Sequence, residues 1–453
     1  MNRPNIVLIV LDSVRQDHLS CYGYGRPTTP NIDRIAEDGI RYTRASAASC
    51  WTLPSHASLF TGLYPSQHRA DLDAQQLESR HETIASRLKS VGYRAGSISC
   101  NSFITEHLAA GFEVNVDVEA LRGASRPLGR RLLRGVHRRW RGLTRRDRGA
   151  RRATQLALRL MSEWAGEPFF LFLNYMDCHL PYRLRSRERY EFVASEDRRR
   201  VSAAPQDPFA TMAGRVKLSE SNIQDLEALY DGCLYYLDKQ VGHLDRRLRD
   251  LGLSDRTLLV VTSDHGESFG EHGLMDHQFG LYEHLLSVPL VMRVPGRKGS
   301  TSDDRITQHI DLVPTILDVV GNAPGPSGSE RTHSLLGGAG RDAAFAEYLV
   351  PNLRQFHRRF PEVDVSRFDR SMRSIRTERF KLIAHQDGKA QLYDLTVDPG
   401  ERVDLSGDRP RLVAQLQDRL GQTLGHWPDR GAAASRQEGQ DELRERLEQL
   451  GYL

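Results

Sequence analysis

The chain has 453 residues, room for about three average domains by length alone, or for one large α/β core with an appendage, the arrangement expected here. Charged residues make up 27 % and hydrophobic residues 39 %, which excludes a disordered chain, and no apolar stretch approaches the length of a bilayer span. The formal net charge of +4 is small for this size, and no nucleic-acid partner is expected from it.

The first element is the apolar run Asn5 to Leu11, which reads as a parallel strand covered on both faces. It is too short for a signal-peptide core and ends in Asp12. Thr52-Leu53-Pro54-Ser55 follows, a capping residue with Pro close behind, which suits the start of a helix. Thr83 to Val91, before Gly92, has helical periodicity. Residues 122 to 152 form an arginine-rich insertion, with Arg130-Arg131, Arg138-Arg139, Arg145-Arg146 and Arg151-Arg152 and only Asp147 as acid. Such a run attracts an anionic surface, a phosphate polymer or an acidic partner, and it is equally a solvated, partly helical insertion. His137 and Trp140 supply little of the aromatic interleaving that single-strand binding uses.

Beyond the insertion, Ala153 to Trp164 reads as a helix, Pro168 to Leu173 as a strand, and Asn222 to Leu251, before Gly252, as a long helix. Thr257 to Val261 and Val288 to Met292 are two more apolar runs of the buried-strand kind, and His309 to Val320, before Gly321, is helical. Strand and helix alternate, so a doubly wound, mostly parallel sheet flanked by helices is predicted, with ligands at the carboxyl ends of the strands. After the Gly/Pro/Ser-rich stretch from Gly321 to Ser329 the pattern changes. Arg373 to Ala384 and Gln391 to Leu395 alternate like antiparallel strands around the turn-forming Asp387-Gly388, and Leu443, Leu447 and Leu450 sit at helical spacing. The division expected is a catalytic α/β domain over 1–364 and a small C-terminal antiparallel α+β subdomain over 365–453.

Cys21, Cys50, Cys100, Cys178 and Cys233 are odd in number, widely spaced and contain no CxxC pair. That argues against a disulfide framework or a structural zinc site, and a cytoplasmic location is expected.

Asp12 ends the first strand and Asp264-His265 ends the strand from Thr257 to Val261, so all three are predicted to open onto one rim of the sheet. Two carboxylates and an imidazole, with the hydroxyl of Thr52, suit a single divalent ion. Taken singly, a strand-end Asp is more often a helix cap and Thr52 an ordinary N-cap. A helix starting at Thr52 also presents free N–H groups and positive dipole charge to a tetrahedral anion.

Thr52-Leu53-Pro54-Ser55-His56, continuing to Thr61-Gly62, resembles the signature C/S-x-P-S/A-R-x-x-x-x-T-G of the sulfatase family, a branch of the alkaline phosphatase superfamily. Other segments are similar to family segments in the family's order: Asn5 to Asp12, Pro30 to Ala36, Asp177 to Tyr182, Ser263 to Glu267, Gly270 to Gly273, Tyr282-Glu283, Asp311 to Thr315 and Leu392 to Leu395. The resemblance implies a metal held by Asp12, Thr52, Asp264 and His265, with Thr52 in the nucleophile position. It places His179 and His277 where the transferred anion is bound or the leaving oxygen protonated; a satisfied structural histidine is the alternative at each.

The departures are chemical. Thr52 is a secondary alcohol where the family has the cysteine or serine it converts to formylglycine, so no formylglycine is expected. His56 replaces the signature arginine, Ser13 replaces a second aspartate after Asp12, and the family's sulfate-gripping lysine has no counterpart near Ser99-Cys100-Asn101-Ser102, where Asn101 offers a neutral donor. One carboxylate fewer leans toward manganese or zinc ahead of calcium or magnesium. Cys50 is two residues too early to be the modified cysteine.

A metal-dependent ester hydrolase is expected, acting on a small-molecule, glycan-linked or lipid-linked anionic ester, with a phosphate or phosphonate ester placed ahead of a sulfate ester. Thr52 and His56, with His179 and His277, are the catalytic candidates; Asn101, His179 and His277 are the substrate-binding ones. A sulfatase proper is the close alternative. A non-catalytic polyanion-binding relative is an alternative of another class, and a group transferase is a third.

Overall fold

The computed structural model describes residues 3–72, 76–123, 147–321, 333–338 and 340–428. Its strands in chain order are β1 (Asn5–Leu11), β2 (Ile40–Ser46), β3 (Arg94–Ser99), β4 (Val114–Asp117), β5 (Phe169–Tyr175), β6 (Thr257–Thr262), β7 (Ser268–Phe269), β8 (Met275–Asp276), β9 (Leu290–Arg293), β10 (Thr301–Gln308), β11 (Ala344–Tyr348), β12 (Met372–Arg376), β13 (Phe380–His385) and β14 (Ala390–Asp394). Eight of them form one sheet in the order β10-β2-β9-β6-β1-β5-β3-β4. β1 lies at its centre, parallel to both β5 and β6.

The unbroken apolar run of β1 is explained by what covers it. Ile6, Leu8 and Val10 share a core with Leu53 and Phe60 of the Thr52–Thr61 helix and with Val313 and Ile316 of the Leu312–Val320 helix. Val7, Ile9 and Leu11 belong to a core on the opposite face with Ala153 and Ala157 of the Ala150–Glu163 helix and Leu234 and Leu237 of the Glu220–Asp250 helix. A strand buried on both faces has no polar side to alternate with. The doubly wound, mostly parallel sheet expected from the sequence is the one observed.

One run differs in direction. Val288 to Met292 carries the same apolar character as β1, yet the strand it gives, β9, is antiparallel to both β6 and β2. Burial on both faces sets composition, and composition does not encode strand direction.

The smaller sheet has the order β11-β12-β13-β14, all antiparallel. Leu416, Leu420 and Leu424 of the Pro410–Leu424 helix pack there with Ile375, Leu382 and Leu392. Its edge strand β11 lies upstream of residue 365. The alternating run from Arg373 to Ala384 is two strands, not one: Thr377 closes a turn by donating its N–H to the Phe380 carbonyl at 2.8 Å while its Oγ1 accepts from the Phe380 N–H at 3.0 Å. No Gly or Pro marks that turn in the sequence. The stripe Leu443, Leu447, Leu450 and most of the arginine-rich insertion, 124–146, lie outside the described residues. Among the described residues no helix is long and apolar enough to cross a membrane.

Candidate active site

The carboxyl ends of β1 and β6 lie side by side because the two strands pair in register from Asn5↔Thr257 to Val10↔Thr262. Asp12 and Asp264 therefore reach the same rim, and the backbone turns sharply there: Ser13 has φ 61°. That left-handed turn aims the Ser13 N–H at Asp264 Oδ1, 3.1 Å away, and the Ser13 hydroxyl at Asp12 Oδ1, 3.2 Å away. Asp12 Oδ2 accepts from Asn101 Nδ2 at 3.2 Å and from Asn174 Nδ2 at 3.5 Å. The position that carries a second aspartate in the family pattern thus holds a serine that orients the two carboxylates.

His265 is fixed from behind. Its Nδ1 lies 2.9 Å from the Gly266 carbonyl, which can only accept, so Nδ1 carries the proton and Nε2 presents a lone pair 3.2 Å from Asp264 Oδ2. Asp12, Asp264 and His265 offer ligand atoms that all lie within 4.8 Å of one another, and all three side chains are fully buried.

Thr52 is the first residue of its helix, and Trp51 occupies the cap position in extended conformation. The threonine is therefore not an N-cap. Its Oγ1 is buried without a hydrogen-bond partner, as are Asp264 Oδ2, His265 Nε2 and His56 Nε2. Buried polar atoms left unpaired are costly, and here they cluster beside free N–H groups at a helix start. A divalent cation satisfies the lone pairs of Asp264, His265 and Thr52 together, so the residues present fit the metal that the family pattern implies.

One hydrogen bond and one close contact staple this helix to the metal-ligand turn. Ser55 Oγ donates to the Asp264 carbonyl at 2.6 Å, and His56 Nδ1 donates to the Thr52 carbonyl at 2.9 Å while lying 3.5 Å from Asp264 Oδ2. His56 packs edge-on against Phe60 and Phe172. It positions Thr52 and Asp264 from beneath rather than lining the cleft above them.

Electrostatics point the same way. Burial, then Asp12, pushes the Asp264 carboxyl well above its ordinary range. Burial, helped by His277, pushes His265 well below the usual imidazole value, and burial alone brings His56 to about 4. Neutral imidazoles are the metal-binding form, and a cation removes the repulsion that lifts Asp264.

His179 follows β5, and Asp276-His277 ends the small β7–β8 ribbon. The His277 ring stacks on His265 with centroids 4.3 Å apart and meets His179 edge-on at 4.8 Å. His277 and Thr52 share the wall of a cleft whose other sides include Trp51, Leu72, Phe103, Tyr348 and Val350. Asn101 is placed differently from the open anion donor expected: its Nδ2 serves Asp12, and its Oδ1 caps the next helix by accepting the Phe103 N–H at 3.1 Å.

Two participants were not singled out from the sequence. Asp276 is buried and in contact with His277 Nδ1, and its φ of 75° is unusual for a non-glycine residue. Glu267, also buried, accepts the Leu180 N–H at 3.2 Å, next to His179. Both stand in strings already notable for their histidines, and adjacency to a candidate ligand is the signal that would have found them. Cys50 is fully buried, and burial pushes its thiol far above the ordinary value, so it stays protonated and unreactive.

Comparison with known proteins adds two family matches: the family model Sulfatase covers residues 4–322, and N-sulphoglucosamine sulphohydrolase, C-terminal covers residues 270–426. The multifunctional alkaline phosphatase superfamily protein PehA of Trinickia caryophylli is 25 % identical over 94 % of this chain and 95 % of its own. Arylsulfatase K of Canis lupus familiaris is 24 % identical over 93 % of this chain and 83 % of its own. Among solved structures, the phosphonate monoester hydrolase of Agrobacterium radiobacter superposes with a TM-score of 0.72 at 22 % identity, over 93 % of this chain and 95 % of that one.

Proposed function

Because the chain belongs to the sulfatase family, whose members compared above are ester hydrolases, we propose that it hydrolyses a phosphate or phosphonate ester through Thr52 at a divalent metal. The observation that carries this reading is the unpaired Thr52 Oγ1 at a helix start stapled to Asp264.

Asp12, Thr52, Asp264 and His265 would hold the ion, and their nitrogen-and-oxygen donor set favours manganese or zinc. When bound, the ion supplies a lowered hydroxyl pKa and positive charge for the transferring oxygens. Thr52 Oγ forms a bond to phosphorus as the bond to the leaving oxygen breaks, and the threonine proton passes to solvent. Helix N–H groups at Thr52 and Leu53 stabilise charge on the non-bridging oxygens. The departing oxygen leaves on the side lined by His179 and His277. Water then attacks phosphorus, the bond to Thr52 Oγ breaks, and the hydroxyl is restored.

Thr52 decides between phosphorus and sulfur. A formylglycine hydrate carries a second hydroxyl and frees its ester by collapsing to the aldehyde; a secondary alcohol has no such route and needs a second attack at the central atom. That requirement favours a phosphoryl or phosphonyl group. Arylsulfatase K favours a sulfate ester as the second reading.

The test is turnover of a phosphodiester, a phosphonate monoester, a phosphate monoester and an aryl sulfate by protein loaded with manganese or zinc, with Thr52→Ala as control. Preference for a phosphorus ester, lost in Thr52→Ala, is expected. Preference for the aryl sulfate would reverse the substrate order, and undiminished activity in Thr52→Ala would remove the nucleophile.

A further inference from the structure

Beside the group Asp12, Asp264, His265 lies a second one: His179, Asp276 and His277 also offer ligand atoms within 4.8 Å of one another, and all three are buried. The two groups share a wall, since the His265 and His277 rings stack at 4.3 Å. We propose that His179, Asp276 and His277 bind a second divalent cation, zinc or manganese, next to the first, and that it supplies the positive charge to the ester anion. The inference rests on the reading of this cleft as an anionic-ester site and specifies what His179 and His277 do in it.

The donor geometry repeats that of the first group. His179 Nδ1 lies 2.5 Å from the Leu180 carbonyl, as His265 Nδ1 lies 2.9 Å from that of Gly266. A carbonyl can only accept, so Nδ1 carries the proton in both rings and Nε2 keeps its lone pair. A lone pair repels the oxygens of a phosphate and attracts a cation; His179 in this tautomer is a ligand rather than an anion donor. A backbone acceptor behind a ring of this kind is the usual support of a metal-binding histidine. Asp276 supplies the oxygen of an N₂O set, which zinc commonly takes with an open position for water or substrate. Ligand atoms on a tetrahedral zinc stand about 3.4 Å apart, so a group already within 4.8 Å closes by side-chain adjustments of about an ångström.

Charge supplies the need. Asp12 and Asp264 belong to the first group and Asp276 to the second, all three buried, and one divalent ion at the first group leaves the Asp276 carboxylate uncompensated. The lysine and arginine of the family pattern are absent, replaced at the signature by His56. Arg148 is near, but its guanidinium is anchored on the Leu180 and Pro181 carbonyls. An anionic ester entering a site of net negative charge is repelled; a second cation reverses the sign. Asp276, whose backbone is held at φ 75°, keeps its carboxylate in contact with His277 Nδ1.

The experiment is metal content. Full-length protein saturated with zinc and dialysed against zinc-free buffer is measured by mass spectrometry of the elements, alongside Asp264→Asn and Asp276→Asn. Two equivalents per chain in the wild type, falling to one in each variant, is the expected result. One equivalent in the wild type, lost in Asp264→Asn and kept in Asp276→Asn, would overturn the second site and leave the first standing; no zinc at all would overturn both. Two equivalents that both survive in Asp276→Asn would overturn the assignment of ligands. Should Asp276→Asn fail to fold, His179→Gln takes its place, and zinc titration of the metal-free wild type decides the count without a variant: two binding events support the proposal and one refutes it.

Discussion

Two buried charge clusters in this molecule are equally dry and opposite in design. In the smaller sheet Arg373 and Glu347, 2 % and 0 % exposed at the side chain, pair at 2.9 Å. The same guanidinium serves the carbonyls of Leu424, Gly425 and His426, and Glu347 also accepts the Ser66 N–H. Nearby, Lys381 bonds Glu283 at 2.9 Å and Glu401 at 3.0 Å. At the rim of the large sheet, by contrast, Asp264 Oδ2, His265 Nε2 and Thr52 Oγ1 are buried and unpaired. The first cluster brings its own counter-charges and ties the small sheet to the chain around it; the second leaves lone pairs open, which a fold tolerates where a ligand completes them.

Mutations separate the two designs. Thr52→Ala removes an unpaired hydroxyl, so turnover should fall by about 10³-fold or more, whereas thermal stability should shift by less than ~1 kcal/mol. A large loss of melting temperature would mean the hydroxyl is structural after all. Arg373→Met is the mirror case. It strands Glu347 and should cost about 3–5 kcal/mol in denaturant unfolding, with kcat of the folded enzyme unchanged below its melting temperature. Equal loss in both assays would erase the distinction.

Acid should loosen the matched cluster in a defined window. Burial raises Glu283, but Lys381 and Arg376 outweigh it and bring its carboxyl down to about 2 from an ordinary 4.5. A depressed carboxylate contributes stability that is complete above pH 4.5 and lost as pH falls toward 2, on the order of 3 kcal/mol. Glu401, raised by burial to about 7, acts in the separate window between 4.5 and 7, where stability declines as pH rises. Urea unfolding at pH 5, 4 and 3 should show the Glu283 loss, and Glu283→Gln should flatten it. The smallest effect belongs to the open cluster: in metal-free protein, Asp264→Asn relieves repulsion from Asp12 and should raise stability by ~1–2 kcal/mol. Calorimetry of the metal-free forms checks that sign.

Strand ends were legible because an apolar run that stops in Asp reads the same from sequence and structure; Asp12, Asp264 and His265 were placed on one rim that way. Thr52 was legible from its peptide, though its place as first helical residue rather than cap depends on the extended Trp51. Strand direction was not: β9 has the composition of β1. Nor was the sharing of amides. Asn101 reads as a free donor until the parallel pairing of β3 with β5 and of β5 with β1 brings it against Asp12. Asp276 escaped notice because one carboxylate beside a histidine is common, and only the β7–β8 ribbon carries it toward His179.

The central claim is a covalent Thr52 ester, and stereochemistry at phosphorus tests it most directly. A chiral phosphorothioate diester is hydrolysed by the metal-loaded protein in isotopically labelled water, and the configuration of the product is read. Two in-line displacements, one by Thr52 and one by water, predict net retention. Net inversion would mean that water attacks the substrate directly, and would contradict the account.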